Sequence, residues 1–177
     1  METYEKRLKR LQSGPPIEAI ETVLNSIDNF FVTQELSRAA EEGLGNLLIL
    51  GIHAVAEIVS ELVYGKVGLD GLKFYLENFV DGEKQDCKFS KIAAELNTWR
   101  NILAHQWISS MGHEWGYDYS VREGWRRDNG RVIINPKIYF ECFDKGFDGP
   151  IWNYDKFLDE KGLEEAKNRI IKKFLKR

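Results

Sequence analysis

The chain has 177 residues, 43% of them hydrophobic, and its 25 Lys and Arg against 28 Asp and Glu give a net charge of −3. This length and composition predict one globular domain with a real core, and the negative charge argues against a protein that coats nucleic acid. Two cysteines, Cys87 and Cys142, supply neither a disulfide framework nor a metal quartet.

The sequence also predicts no membrane span and a cytoplasmic location. The most apolar stretch, residues 47–63, is interrupted by His53, Glu57 and Glu61, short of the ~18 uninterrupted apolar residues that a span requires. Residues 1–10 are charged throughout and contain no apolar signal region. We therefore expect a cytoplasmic protein with reduced thiols.

The first two-thirds of the chain predicts helices. A short amphipathic helix over residues 3–12 ends at Ser13-Gly14, and Pro15-Pro16 suits the first turn of a long helix that runs to about Glu42. The next helices are expected over about residues 44–64, apolar nearly all round, and about residues 69–79. A polar loop over residues 81–88 follows, and Ser90 is a plausible N-cap for one more helix. Four main helices with short connections predict an up-and-down bundle over residues 15–110, after an N-terminal helix over residues 1–14.

Residues 111–177 have a different character and are expected to pack on the same domain. Aromatic and β-branched residues concentrate over residues 115–143, and Asp128-Asn129-Gly130 has the composition of a tight hairpin turn between residues 125–127 and 131–134. Pro136 is expected to end or edge a strand. A basic helix over about residues 163–176 closes the chain. The fold class is therefore mainly α, a helical bundle with a C-terminal β-hairpin elaboration and a final basic helix.

The central helix carries polar residues at helical spacing. Asn46, His53, Glu57 and Glu61 form a polar seam on an otherwise apolar element. The interpretation that we prefer from the sequence is an exposed helix edge. The alternative is that the seam faces the helix that follows Ser90.

That later helix, over residues 91–107, has two stripes when its residues are placed at 100° intervals. Ile92, Leu96, Trp99 and Leu103 fall in one narrow sector, which predicts the core face. Ala94, Asn101, His105 and Ile108 lie on the opposite side. Their mixture of small, polar and apolar residues is unlike a solvated face and predicts a contact surface, for which we expect a homodimer.

Residues 99–105, Trp-Arg-Asn-Ile-Leu-Ala-His, contain Arg100 and Asn101 followed by His105. This Arg-Asn-x-x-x-His pattern resembles the signature of the HEPN superfamily, small helical domains common in toxin–antitoxin, phage-defence and RNA-processing systems. The resemblance covers about residues 15–110, a little over half of the chain.

The resemblance implies a metal-independent endoribonuclease that acts as a dimer, without a cofactor, and leaves a 2′,3′-cyclic phosphate. It makes His105 the general base or acid and Arg100 the group that stabilises the phosphorane, while Asn101 orients His105 or the phosphate. Catalytic members commonly carry a supporting acidic residue on an earlier helix, for which Glu57 is the first candidate and Glu61 the second. The resemblance equally allows a non-catalytic binding or dimerisation module that partners an antitoxin or a nucleotidyltransferase-like protein. A third interpretation is a helical scaffold in which Arg100 only pairs with a carboxylate.

Basic residues outside this motif are candidates for contacting RNA. Residues 161–177 carry seven Lys or Arg against two Glu, and a basic helix of this kind either holds RNA phosphates or only solubilises the chain end. The candidate RNA-binding residues are Arg126, Arg127, Lys172 and Lys173. Three histidines and two distant cysteines give no recognisable ligand spacing, so no metal site is predicted.

Overall fold

A computed structural model describes residues 3–82, 88–106 and 115–175, and its architecture is a mainly helical bundle with one small sheet. The mainly-α class with a C-terminal β-hairpin is thus confirmed. The side chains of His105, Gln106, Trp115, Phe174 and Leu175 lie outside this description.

The N-terminal helices follow the predicted boundaries closely. Helix α1 spans Tyr4–Ser13, with the Thr3 side chain accepting a hydrogen bond from the Lys6 amide. Helix α2 spans Pro16–Ile27 and continues through a π-helical segment, Asp28–Leu36, into α3, Ser37–Glu41. The long helix predicted from Pro15-Pro16 to about Glu42 is confirmed, but nothing in the sequence predicted its π-helical middle. Such segments are rare and occur frequently at functional sites.

Helix α4, Gly45–Leu62, is the centre of the bundle. It packs against α3, α5, α6, α7 and α8 and against the π-helical segment. Among the described helices it alone is long and apolar enough to cross a membrane, yet 61% of that window is buried inside the protein, as in the core helix of a soluble protein. The prediction of a buried central helix over residues 44–64 is confirmed.

Helix α5 spans Gly68–Tyr75 and continues as a second π-helical segment, Leu76–Val80. A 3-10 turn, Phe89–Ile92, then leads into α6, Ala93–Gln106, which carries the Arg-Asn-x-x-x-His motif. The prediction that Ser90 caps this helix is wrong. Ser90 lies inside the 3-10 turn, and the turn itself is capped by Asp81, whose carboxylate accepts hydrogen bonds from the amides of Phe89 at 2.6 Å and Ser90 at 3.1 Å.

The sheet contains the predicted hairpin and one strand that was not predicted. Strands β2, Trp125–Asp128, and β3, Arg131–Ile134, pair antiparallel across Asn129 and Gly130, which have φ values of 49° and 82°. Two positive φ values are what a tight type I′ hairpin turn requires. Strand β1, Trp115–Tyr117, pairs parallel to β3, so the strand order is β1-β3-β2.

Residues 136–148 correct the sequence analysis. Strand β3 ends at Ile134, shortly before Pro136, but Pro136 is not at a strand edge: it begins α7, Pro136–Asp148, a helix within the predicted β-rich region. Asn135 caps it by accepting hydrogen bonds from the amides of Lys137 and Ile138, and proline is favoured in the first turn of a helix because its missing N–H has no intrahelical partner there. Tyr139, Phe143 and Phe147 are buried along the helix, which packs on α4.

Two 3-10 turns, Pro150–Trp152 and Tyr154–Lys156, lead into α8, Glu160–Leu175. This last helix packs mainly against α2 and α1. Helices α7 and α8 therefore close the bundle and bury part of the same core as α4.

Candidate functional site

Helix α6 presents its core face as the sequence predicted. Ile92, Leu96, Trp99 and Leu103 are each at most 3% exposed. This burial fixes the rotation of the helix, and it turns Arg100 and Asn101 to the boundary between core and solvent, where both are half-buried.

The opposite stripe of α6 is described only in part. Ala94, Thr98 and Ala104 are exposed, so the solvent-facing side of the helix consists largely of small residues. The backbone of His105 belongs to α6, but the His105 side chain and all of Ile108 lie outside the described residues. The contact surface predicted from this stripe stays a prediction.

Arg100 is held by two side chains. Its Nη2 donates to the Glu57 carboxylate on α4, and its Nη1 donates to Asn101 Oδ1 at 2.9 Å. The remaining guanidinium donors make no hydrogen bond with a described residue, and the Arg100 side chain is 29% exposed. The structure therefore brings three of the four predicted catalytic residues together, with part of the Arg100 donor set available to an anion.

His53 lies directly behind Glu57 on α4. Its Nε2 is 3.6 Å from Glu57 Oε1, beyond hydrogen-bonding distance, and neither ring nitrogen has a hydrogen-bond partner among the described residues. Burial, assisted by the positive charge of Arg100, lowers the pKa of His53 from 6.5 to about 4, so the ring is neutral near pH 7.

The preferred interpretation of the polar seam as an exposed edge is wrong for this part of α4. His53 is only 2% exposed and Glu57 faces the motif helix. The reason is that α6 packs over this side of α4, which helical periodicity within α4 cannot reveal. Glu61, the second candidate for a supporting acid, lies instead beside α8, with a carboxylate oxygen 3.8 Å from Lys173 Nζ.

A pocket of about 410 Å³ opens beside Arg100. Its walls come from the π-helical segment, α3, α4 and α6, and they are mostly aliphatic or aromatic. Phe31 and Leu36 supply apolar surface. Gly51 on α4 lets the Leu36 side chain pack closely on that helix, because a Cβ at this position would overlap it. Arg100 and Glu35 are the charged residues of the lining.

Sequence reasoning did not identify Phe31 or Glu35 as site residues. Their i, i+4 spacing places both on one side of the long helix, but only the packing of that helix on α4 directs this side toward Arg100. No local pattern marks them as neighbours of a motif about 65 residues later.

The four candidate RNA-binding residues lie on two elements, β2 and α8, and three of them lie within 4 Å of an acidic side chain. Arg127 pairs with Glu95 on α6, and Arg126 lies 3.5 Å from Asp118. Lys172 and Lys173 are exposed near the end of α8. Exposed ion pairs of this kind contribute little to stability and leave the cations accessible to phosphates.

Within the described residues, no group of three or more His, Cys, Asp or Glu side chains is arranged to hold a metal ion. Comparisons of the chain with protein-family models, with curated proteins and with solved structures return no match. The interpretation of the site therefore rests on the motif and on its geometry.

Proposed function

We propose that this protein is a metal-independent endoribonuclease of the HEPN type, acting in the cytoplasm in a toxin or defence system. The observation that carries the proposal is the contact between Glu57 and Arg100, which joins the motif to a carboxylate on an earlier helix. A supporting acid in this position is what the resemblance implies for catalytic members. The partly unused guanidinium of Arg100 adds a means of binding a phosphate.

The chemistry follows from the residue types. His105, as general base, takes the proton of an RNA 2′-hydroxyl, whose oxygen attacks the adjacent phosphorus. Arg100 stabilises the additional negative charge on the phosphorane, and Glu57 and Asn101 keep its guanidinium oriented. The P–O5′ bond then breaks, and the leaving oxygen takes a proton from a histidinium. The products are a 2′,3′-cyclic phosphate and a 5′-hydroxyl end.

We further propose that two subunits pack through their α6 helices. The small exposed residues Ala94, Thr98 and Ala104 allow a second helix to approach closely. A symmetric pair would bring two copies of the motif together, so that one histidine acts as base and the other as acid.

The test is an RNA-cleavage assay with the purified protein, with and without EDTA. Cleavage should persist in the chelator, and mass spectrometry should find ends that lack one water relative to a linear phosphate. His105→Ala and Arg100→Ala should each lower the rate about 100-fold or more. Arg38→Ala removes an exposed arginine of α3 outside the site and should leave the rate unchanged. A magnesium requirement, or full activity of His105→Ala, would refute the mechanism.

A second candidate function is a non-catalytic HEPN-like module that binds an antitoxin or a nucleotidyltransferase-like protein. The observation in its favour is the same ion pair, because Glu57 compensates the charge of Arg100 and gives it a purely structural partner. This function predicts no RNA cleavage by the wild-type protein. It also predicts that Arg100→Ala and Glu57→Gln lower the melting temperature while removing no activity.

A further inference from the structure

The pocket beside Arg100 combines an apolar interior with two opposite charges. Arg100 and Glu35 both line it, together with Phe31, Leu36, Leu50 and Ala54. Its volume of about 410 Å³ lies within the range of small-ligand sites, which are typically about 300–1,000 Å³. We propose that this pocket binds the guanine base of the nucleotide whose phosphate Arg100 holds, so that cleavage occurs on the 3′ side of guanosine. This inference rests on the proposed function.

The positive charge of Arg100 suits the phosphate of a nucleotide, and the negative charge of Glu35 suits hydrogen-bond donors on the base. Arg100 has guanidinium donors without a described partner, which match a phosphate. Glu35 is exposed, and its side chain makes no hydrogen bond or ion pair with any described residue, so its carboxylate is open to donors on a ligand. The Phe31 ring and the aliphatic walls supply the apolar surface against which single-stranded bases pack.

The choice of guanine follows from the hydrogen-bonding capacity of a carboxylate. An ionised carboxylate only accepts, through two oxygens side by side. On its Watson–Crick edge guanine presents two adjacent donors, N1–H and the N2 amino group, which pair with both oxygens. Adenine and cytosine each place an acceptor next to their amino group, and uracil has one donor between two acceptors. The Watson–Crick edges of those three bases would each place an acceptor atom opposite a carboxylate oxygen of Glu35, where the two lone pairs repel.

The pocket wall that carries Phe31 and Glu35 is formed by the π-helical segment. Asp28–Leu36 supplies Phe31, Glu35 and Leu36, so every pocket residue from the long helix except Ala39 comes from nine residues with π-helical hydrogen bonding. Because this conformation is uncommon and often retained at functional sites, its coincidence with the pocket supports a binding role for this wall.

The experiment measures binding and cleavage separately. Titration calorimetry with 3′-GMP, 3′-AMP and 3′-UMP should show that 3′-GMP binds about tenfold or more tightly than the others. Glu35→Gln should remove that preference, because an amide presents one acceptor and one donor group. The matched control Glu41→Gln changes an exposed acid of α3 outside the pocket and should keep it. Mapping the ends of a cleaved RNA should place them after guanosine in the wild type and after mixed bases in Glu35→Gln.

The outcomes separate the two proposals. Cleavage after all four bases, with no preference for 3′-GMP, would refute the guanine pocket and leave the nuclease standing. Preferential binding of 3′-GMP that depends on Glu35, without cleavage of any RNA, would leave the pocket standing and refute the nuclease. Leu47 on α4 is an exposed residue of the pocket lining. If no nucleotide binds and Leu47→Glu converts a dimer into a monomer, the pocket is covered by a second copy of the chain and the guanine assignment is wrong.

Discussion

Replacing His53 by leucine should remove a large part of the dependence of stability on pH. In the folded protein the pKa of His53 is lowered from 6.5 to about 4, first by burial and then by the charge of Arg100. The unfolded chain therefore binds a proton in the range from pH 6.5 down to about pH 4, whereas the folded protein does not. Since the unfolded state binds more protons in this window, the free energy of unfolding must fall as the pH decreases through it.

The magnitude follows from the two pKa values. One pKa unit is equivalent to about 1.4 kcal/mol, so the difference between 6.5 and about 4 corresponds to a loss of about 3 kcal/mol between pH 7 and pH 4. His53 is only 2% exposed, so screening by solvent reduces the expected loss of stability little. Two charged side chains act on the His53 ring: Glu57 on α4, which lies beside it, and Arg100 on α6.

The assay is urea unfolding of the wild type and of His53→Leu at half-unit steps from pH 7.5 to pH 4. Other acidic groups titrate in both proteins, so the difference between the two curves isolates His53. The wild type should lose about 3 kcal/mol more than the variant over this range. At pH 7 the variant should be close to the wild type, because an apolar side chain no longer leaves two ring nitrogens without partners. Parallel pH curves for the two proteins would refute the reasoning.

Three further predictions concern the core, the cap of α7 and the assembly. Trp99→Ala should lower the free energy of unfolding in urea by about 3–5 kcal/mol because a buried aromatic side chain is lost, whereas His105→Ala should change it by no more than about 0.5 kcal/mol. Comparable losses in the two variants would mean that His105 is a core residue. Asn135→Ala should lower the free energy of unfolding by about 2 kcal/mol, since Asn135 caps α7 and also donates to two backbone carbonyls. The control Asn153→Ala changes an exposed asparagine and should be nearly neutral, and equal effects of the two substitutions would show that the cap contributes nothing. Ala94→Arg should convert a homodimer into a monomer in sedimentation without loss of helical circular dichroism, and a wild-type protein that is monomeric at high micromolar concentration would rule out the two-subunit site.

The sequence determined the features that depend on residues close together along the chain. Periodicity alone identified the core face of α6, Pro15-Pro16 marked the start of the long helix, and Asp128-Asn129-Gly130 predicted the hairpin turn. These succeed because helical spacing, the fixed φ of proline and positive φ at Asn and Gly act within a few residues. The same locality explains why α7 was missed, since its aromatic residues favour strands until Asn135 and the surface of α4 are considered together.

Only the tertiary structure decided which side chains meet at the motif. Along α4 the polar seam favoured an exposed edge, and it took the packing of α6 to bury His53 and place Glu57 against Arg100. The wall of the pocket likewise depends on how the helix bearing Phe31 and Glu35 lies across α4. Contacts between residues 43 or more positions apart are set by the fit of helix surfaces in the core, and no local spacing rule contains that information.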